Sequence, residues 1–124
     1  MVILHVLNTG SFSGAENVVI SIINEFQKRN IENIELIYVS LEGSIRKRLE
    51  KEKIKYEPIK KMSVGEIKRV IKKYNPDIIH AHDFTASIIC AVSAQNIPVI
   101  SHIHNYCPWL KNLPEDAGIW NDMF

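Results

Sequence analysis

The sequence predicts an α/β domain, with helices on both faces of a parallel sheet of about five strands, and two observations predict it. Apolar runs of strand length alternate strictly with segments of helical periodicity as far as about residue 102. Within those runs the apolar residues are consecutive rather than alternate, as in strands covered on both faces. The length of 124 residues suits one domain, and 46% hydrophobic with 23% charged residues is a globular composition, not a disordered one.

Each element has its own signal. Val2–Leu7 (VILHVL) is the first strand, and after a Gly/Ser loop Val18, Val19, Ile22, Ile23 and Phe26 repeat at helical spacing. Ile34–Val39 is the second strand. Ser44 can cap a short helix to about Lys51, with Ile45 and Leu49 inward. Ile54–Tyr56 is a weak third strand ahead of Pro58. Ser63 and Glu66 have capping-box spacing, and Val64, Ile67, Val70, Ile71 and Tyr74 stripe the helix that Pro76 stops. Asp77–Ala81 is the fourth strand, Phe84–Ala94 the fourth helix and Pro98–His102 the fifth strand. From Tyr106 to Phe124 the periodicity dissolves, and Trp109, Trp120 and Phe124 read as surface aromatics.

In such a sheet ligands bind at the carboxyl ends of the strands, near the point where strand order reverses. Three loops qualify: Asn8–Gly14, His80–Phe84 and His102–Trp109. In the first, Gly10 and Gly14 permit close backbone approach, and the N–H groups opening the following helix attract a polar or anionic ligand. Ser13 and Glu16 have capping-box spacing, so Glu16 either ties off the helix or faces the ligand. The loop is neither the dinucleotide fingerprint nor a P-loop. In the second, alternation puts His80 and His82 on one side, and Asp83 stands where a helix N-cap belongs. A metal at His80 and His82 is disfavoured, because no third ligand of suitable spacing lies nearby, and none is assigned. In the third, His104 lies just past the strand, where an imidazole can bond a sugar hydroxyl or shuttle a proton. His5, mid-strand, reads as a buried, hydrogen-bonded core residue.

A net charge of +1 gives no reason to expect a nucleic-acid partner. Basic residues nevertheless concentrate at Arg46–Lys55 and Lys60–Lys73, either as solvated faces or as a contact for an anionic membrane. With only Cys90 and Cys107 there is no disulfide framework, a reducing cytoplasm fits, and neither a signal peptide nor a run of roughly 18 apolar residues is present.

Three segments taken together carry a resemblance. They are Met1–Leu7 with its Gly-x-x-x-Gly-Ala-Glu loop, Pro76-Asp77-Ile78-Ile79-His80-Ala81-His82-Asp83, and Pro98-Val99-Ile100-Ser101-His102-Ile103-His104. In order and spacing they resemble family 4 of the glycosyltransferases, over about residues 1–110. The resemblance implies one Rossmann-like half of a two-domain GT-B enzyme that retains anomeric configuration and uses no cofactor. It implies that the Gly10–Gly14 loop borders the cleft near donor diphosphate and acceptor. It also implies that His82 and Asp83 line that cleft and that His104 contacts the transferred sugar. The partners it implies are a nucleotide-sugar donor, held by a C-terminal domain not in these residues, and a glycan or lipid-linked acceptor. A cytoplasmic protein, peripheral on the inner face of the membrane, is implied as well. Residues 1–124 are then a single, incomplete N-terminal domain that is inactive alone. The alternative is a non-catalytic partner subunit of a split enzyme. A flavodoxin-like nucleotide-binding domain ranks last, since it would need a phosphate loop richer in Ser and Thr.

Overall fold

The computed structural model describes residues 1–103. Strands β1 (Val2–Val6), β2 (Glu35–Leu41), β3 (Lys55–Ile59), β4 (Ile78–His82) and β5 (Val99–His102) alternate with helices α1 (Gly14–Lys28), α2 (Ile45–Lys51), α3 (Val64–Tyr74) and α4 (Phe84–Ser93). The strands are all parallel, in the order β3-β2-β1-β4-β5. The chain winds outward from β1 to β3, then returns to the other edge of β1 and winds outward again.

That reversal divides the helices between two layers. On one face Val19, Ile20 and Ile23 of α1 and Ile45 and Leu49 of α2 close over Leu7, Tyr38 and Ile54. On the other, Ile67 and Val70 of α3 and Ala86 and Cys90 of α4 close over Leu4, Val6, Ile37, Val39, Ile79 and Ala81. Neighbouring residues of one strand thus enter different cores, which is why the strands are apolar on consecutive positions. Burial pushes the Cys90 thiol up to about 12, so it is an inert packing residue.

The elements depart from expectation in a few places, each with a local reason. β3 runs through Pro58 to Ile59 instead of stopping before the proline. It is an edge strand, where some N–H groups meet no neighbour, so a proline is tolerated. In α1 Ile20 is buried and Val18 is exposed, a small rotation of the expected stripe. The Ser63 hydroxyl accepts the Glu66 N–H at 3.3 Å, but the Glu66 carboxylate takes the Lys60 N–H at 2.8 Å, so only half a capping box forms. Asn75, left-handed at φ 47°, ends α3 directly before Pro76.

The basic clusters are partly neutralised. Arg46 pairs with Glu42 and Glu50, Arg48 with Glu52, and Lys55 with Glu35. Glu57, buried on β3, gathers Arg69 (3.2 Å), Lys73 (2.7 Å) and the Tyr74 hydroxyl (2.6 Å). Burial alone would raise its pKa, but the bonds from Lys73, Tyr74 and Arg69 outweigh that and hold the carboxyl below its ordinary value.

Candidate functional site

The strand order reverses between β1 and β4, and the loops leaving those two strands meet. They enclose a cavity of about 260 Å³ with Asn8, Thr9, Ser13 and Glu16 on one wall and His82, Asp83, Phe84 and Thr85 on the other. Two of the three expected loops therefore form one site. Of the third loop only His102 and Ile103 are described. His104 lies outside the described residues, as do Cys107, Trp109, Trp120 and Phe124.

Glu16 is a polar residue on the buried side of α1, only 3% exposed. Its carboxylate accepts the Thr9 hydroxyl at 2.9 Å and the Ser13 hydroxyl. Ser13 is the N-cap residue of α1, but its hydroxyl makes no capping bond; the backbone carbonyl of Ser13 takes the Asn17 N–H instead. The expected capping box is thus absent. Glu16 turns toward the cavity wall because two hydroxyls, not the helix backbone, hold it there.

The two glycines of the loop differ. A Cβ on Gly10 would lie 2.3 Å from the Leu41 carbonyl oxygen and 2.6 Å from that of Glu42. The close approach that Gly10 permits is therefore to the β2–α2 turn, not to a ligand as expected, and its carbonyl takes the Ile45 N–H at 2.9 Å. Gly43 faces it with the same demand, 2.5 Å from the Gly10 oxygen. A Cβ on Gly14 would meet nothing within 4 Å.

Asp83 occupies the N-cap position of α4 without a side-chain cap bond, so the expected capping role is not the one it fills. Its backbone, at φ 65° and ψ −179°, sits in a region ordinarily left to glycine. The surroundings enforce it: the Asp83 N–H donates to the His102 carbonyl at 2.8 Å, and its carbonyl accepts the Ser87 N–H (3.1 Å) and hydroxyl (2.6 Å). A conformation costing about 1–3 kcal/mol is thereby held on the cavity wall.

His80 and His82 do share a face, with ring centroids 4.3 Å apart. Residue spacing along β4 could not reveal what the sheet adds. Strand register sets His5 of β1 beside His80, and His102 of β5 beside His82. His5 Nδ1 lies 3.1 Å from His82 Nε2, so His5 is the buried, hydrogen-bonded residue expected. Burial, and then the neighbouring His80 and His102, push its pKa down to about 3 and keep it neutral. Local spacing offered no third ligand for His80 and His82, but the sheet brings one from β1: His5, with ligand atoms of all three within 4.8 Å of one another.

Thr9 and Tyr38 escaped the sequence reading. Thr9 differs from any loop threonine only through its bond to Glu16. Tyr38 is wholly buried on β2, and its hydroxyl has no hydrogen-bond partner among the described residues. Burial, and then the Glu16 charge, raise its pKa well above the ordinary phenol value.

The fold is a doubly wound α/β domain, and its candidate site is the cavity at the topological switch point, where such sheets place their ligands. The family model of Glycosyltransferase Family 4 matches residues 12–122, and the chain belongs to that family, a family of transferases. A comparison with curated proteins finds no match. Among solved structures the chain is similar to a glycosyltransferase from Rickettsia africae ESF-5 (TM-score 0.64, 23% identity, 96% of this chain and 32% of that one). It is also similar to UDP-GlcNAc 2-epimerase from Neisseria meningitidis, solved with UDP-GlcNAc (0.58, 19%, 94% and 36%). A universal stress protein family protein from Arabidopsis thaliana, solved with AMP, gives 0.55 at 13% identity over 93% of this chain and 96% of that one. At these identities the likeness concerns the Rossmann-like fold. The chain spans about a third of the length of the first two. No helix among the described residues is long and apolar enough to cross a membrane.

Proposed function

We propose that these residues form the N-terminal, acceptor-side part of a retaining glycosyltransferase that moves a sugar from a nucleotide-sugar to a glycan or lipid-linked acceptor. One observation carries the reading: among the described residues the switch-point cavity has two acidic side chains, Glu16 and Asp83, on its walls and no lysine or arginine. Carboxylates, hydroxyls and an imidazole suit sugar hydroxyls, whereas a diphosphate there would meet like charge. The strained Asp83 backbone beside His82 agrees with a site held in a set geometry.

Stabilising the departing diphosphate is a large share of catalysis in such transfers and calls for cations outside this cavity. Residues 1–124 alone therefore bind acceptor saccharide and do not turn over donor. His104 is carried over by resemblance as the residue touching the transferred sugar. Among the described residues Lys47, Lys51, Lys60, Lys61, Lys68 and Lys72 stay outside the ion pairs and are the basic side chains an anionic membrane would meet.

The test uses the purified chain. Saturation-transfer NMR with candidate acceptor glycans should give a signal that Glu16→Gln weakens about tenfold in affinity, with the circular dichroism spectrum unchanged. Nucleoside diphosphate release from sugar nucleotides should stay at the buffer rate. Steady release by the chain alone, or saccharide binding indifferent to Glu16→Gln, would overturn the reading.

A further inference from the structure

Four histidines, His5, His80, His82 and His102, occupy one face of the sheet across β1, β4 and β5, and the proposed sugar site uses one of them. Only His82 of the four lines the cavity. His5 and His82 are 2% and 1% exposed, and His80 is half-buried. Parallel register sets His5 opposite His80, and strand alternation returns His82 to the same face two residues on. The resulting triangle spans two adjacent, hydrogen-bonded strands, β1 and β4.

From this arrangement we infer that His5, His80 and His82 form a binding site for a divalent transition metal of the zinc class. Their ligand atoms all lie within 4.8 Å of one another, and one pair, His5 Nδ1 and His82 Nε2, is 3.1 Å apart. Metal–nitrogen bonds of about 2.0–2.1 Å in a tetrahedral site put ligand nitrogens about 3.4 Å apart, so that pair is already near the required spacing. The remaining separations, all within 4.8 Å, have to close toward that value, and the half-buried His80 is the ring with room to adjust. Three imidazoles without a carboxylate favour zinc, cobalt, nickel or copper over magnesium or calcium. His102, with its ring centroid 5.4 Å from that of His82 and 5.5 Å from that of His80, is an imidazole in reserve for a fourth position.

Binding would replace the His5–His82 contact with three bonds to the metal. The His5–His82 hydrogen bond breaks, the ring that donated in it moves that proton to its other nitrogen, and each of the three rings then offers a lone pair. Three nitrogen–metal bonds form with no net release of protons. The site shares His82 with the sugar-binding reading but does not depend on it, and its failure would leave that reading standing.

The experiment is metal titration of the untagged, chelator-treated chain with zinc by calorimetry and with cobalt(II) by visible absorption. One equivalent should bind, cobalt should give the intense bands of tetrahedral coordination, and the thermal midpoint should rise. His80→Gln and His5→Gln should each weaken binding about 100-fold. Where His5→Gln fails to fold, His80→Gln, at a half-buried position, decides. Absence of stoichiometric binding, or binding that survives His80→Gln unchanged, would overturn the inference, the latter by placing the metal elsewhere.

Discussion

Gly10→Ala tests how the site is built. The new methyl carbon would sit 2.3 Å from the Leu41 oxygen and 2.6 Å from the Glu42 oxygen, about 1 Å inside an ordinary contact. Both obstacles are backbone, so no rotamer change relieves them. The β1–α1 loop or the β2–α2 turn has to move, and overpacking of this kind costs about 1–3 kcal/mol. Moving either segment also loosens the Ile45 N–H bond to the Gly10 carbonyl at the start of α2, worth about 1 kcal/mol more. The expected loss is about 2–4 kcal/mol, read by urea denaturation at neutral pH. Gly14→Ala is the internal control. It has open space at the first turn of α1 and should be neutral or stabilise by up to about 1 kcal/mol. If Gly10→Ala stays within about 0.5 kcal/mol of the parent, the loop contact is not what demands glycine. A ligand-facing role for Gly10 would then be the better reading.

Two further predictions use buried polar groups. Glu57→Gln should cost about 1–2 kcal/mol at pH 7, because hydrogen bonds to charged partners are lost while Arg69 and Lys73 remain exposed enough to hydrate. The sign of its pH dependence follows from the depressed pKa of Glu57. Its contribution is complete above the ordinary carboxyl value near 4.5 and is lost as pH falls through the folded-state value. The gap between parent and variant, followed by denaturation from pH 7 to pH 3, should therefore close on the acid side. A gap constant across that range would refute the assignment. Tyr38→Phe removes a buried hydroxyl with no hydrogen-bond partner among the described residues, and should leave stability unchanged or raise it by up to about 1 kcal/mol. A melting temperature lowered by several degrees would show that the hydroxyl is satisfied after all.

Local pattern determined the layers of this protein. Consecutive apolar residues in Val2–Leu4 and Ile37–Val39 announce strands covered on both faces, and the spacing of Ile67, Val70, Ile71 and Tyr74 announces a helix. Such signals survive without tertiary information because each lies within one or two turns of chain. The same logic pointed to the loops after the first and fourth strands, since ligand sites in parallel sheets follow strand ends. What the residues in those loops do was decided elsewhere. Ser13 and Glu16 have capping-box spacing, yet the bond runs hydroxyl to carboxylate, because Thr9 also reaches Glu16 and the helix start is closed by backbone. Gly10 takes its reason from Leu41 and Glu42, which are about 30 residues away in the chain. His5 joins His80 and His82 only through the β1–β4 register, a pairing between segments more than 70 residues apart. Periodicity is a property of neighbours in sequence and can be read there. Register and loop contact belong to neighbours in space, and strand order had to be known before they could be seen.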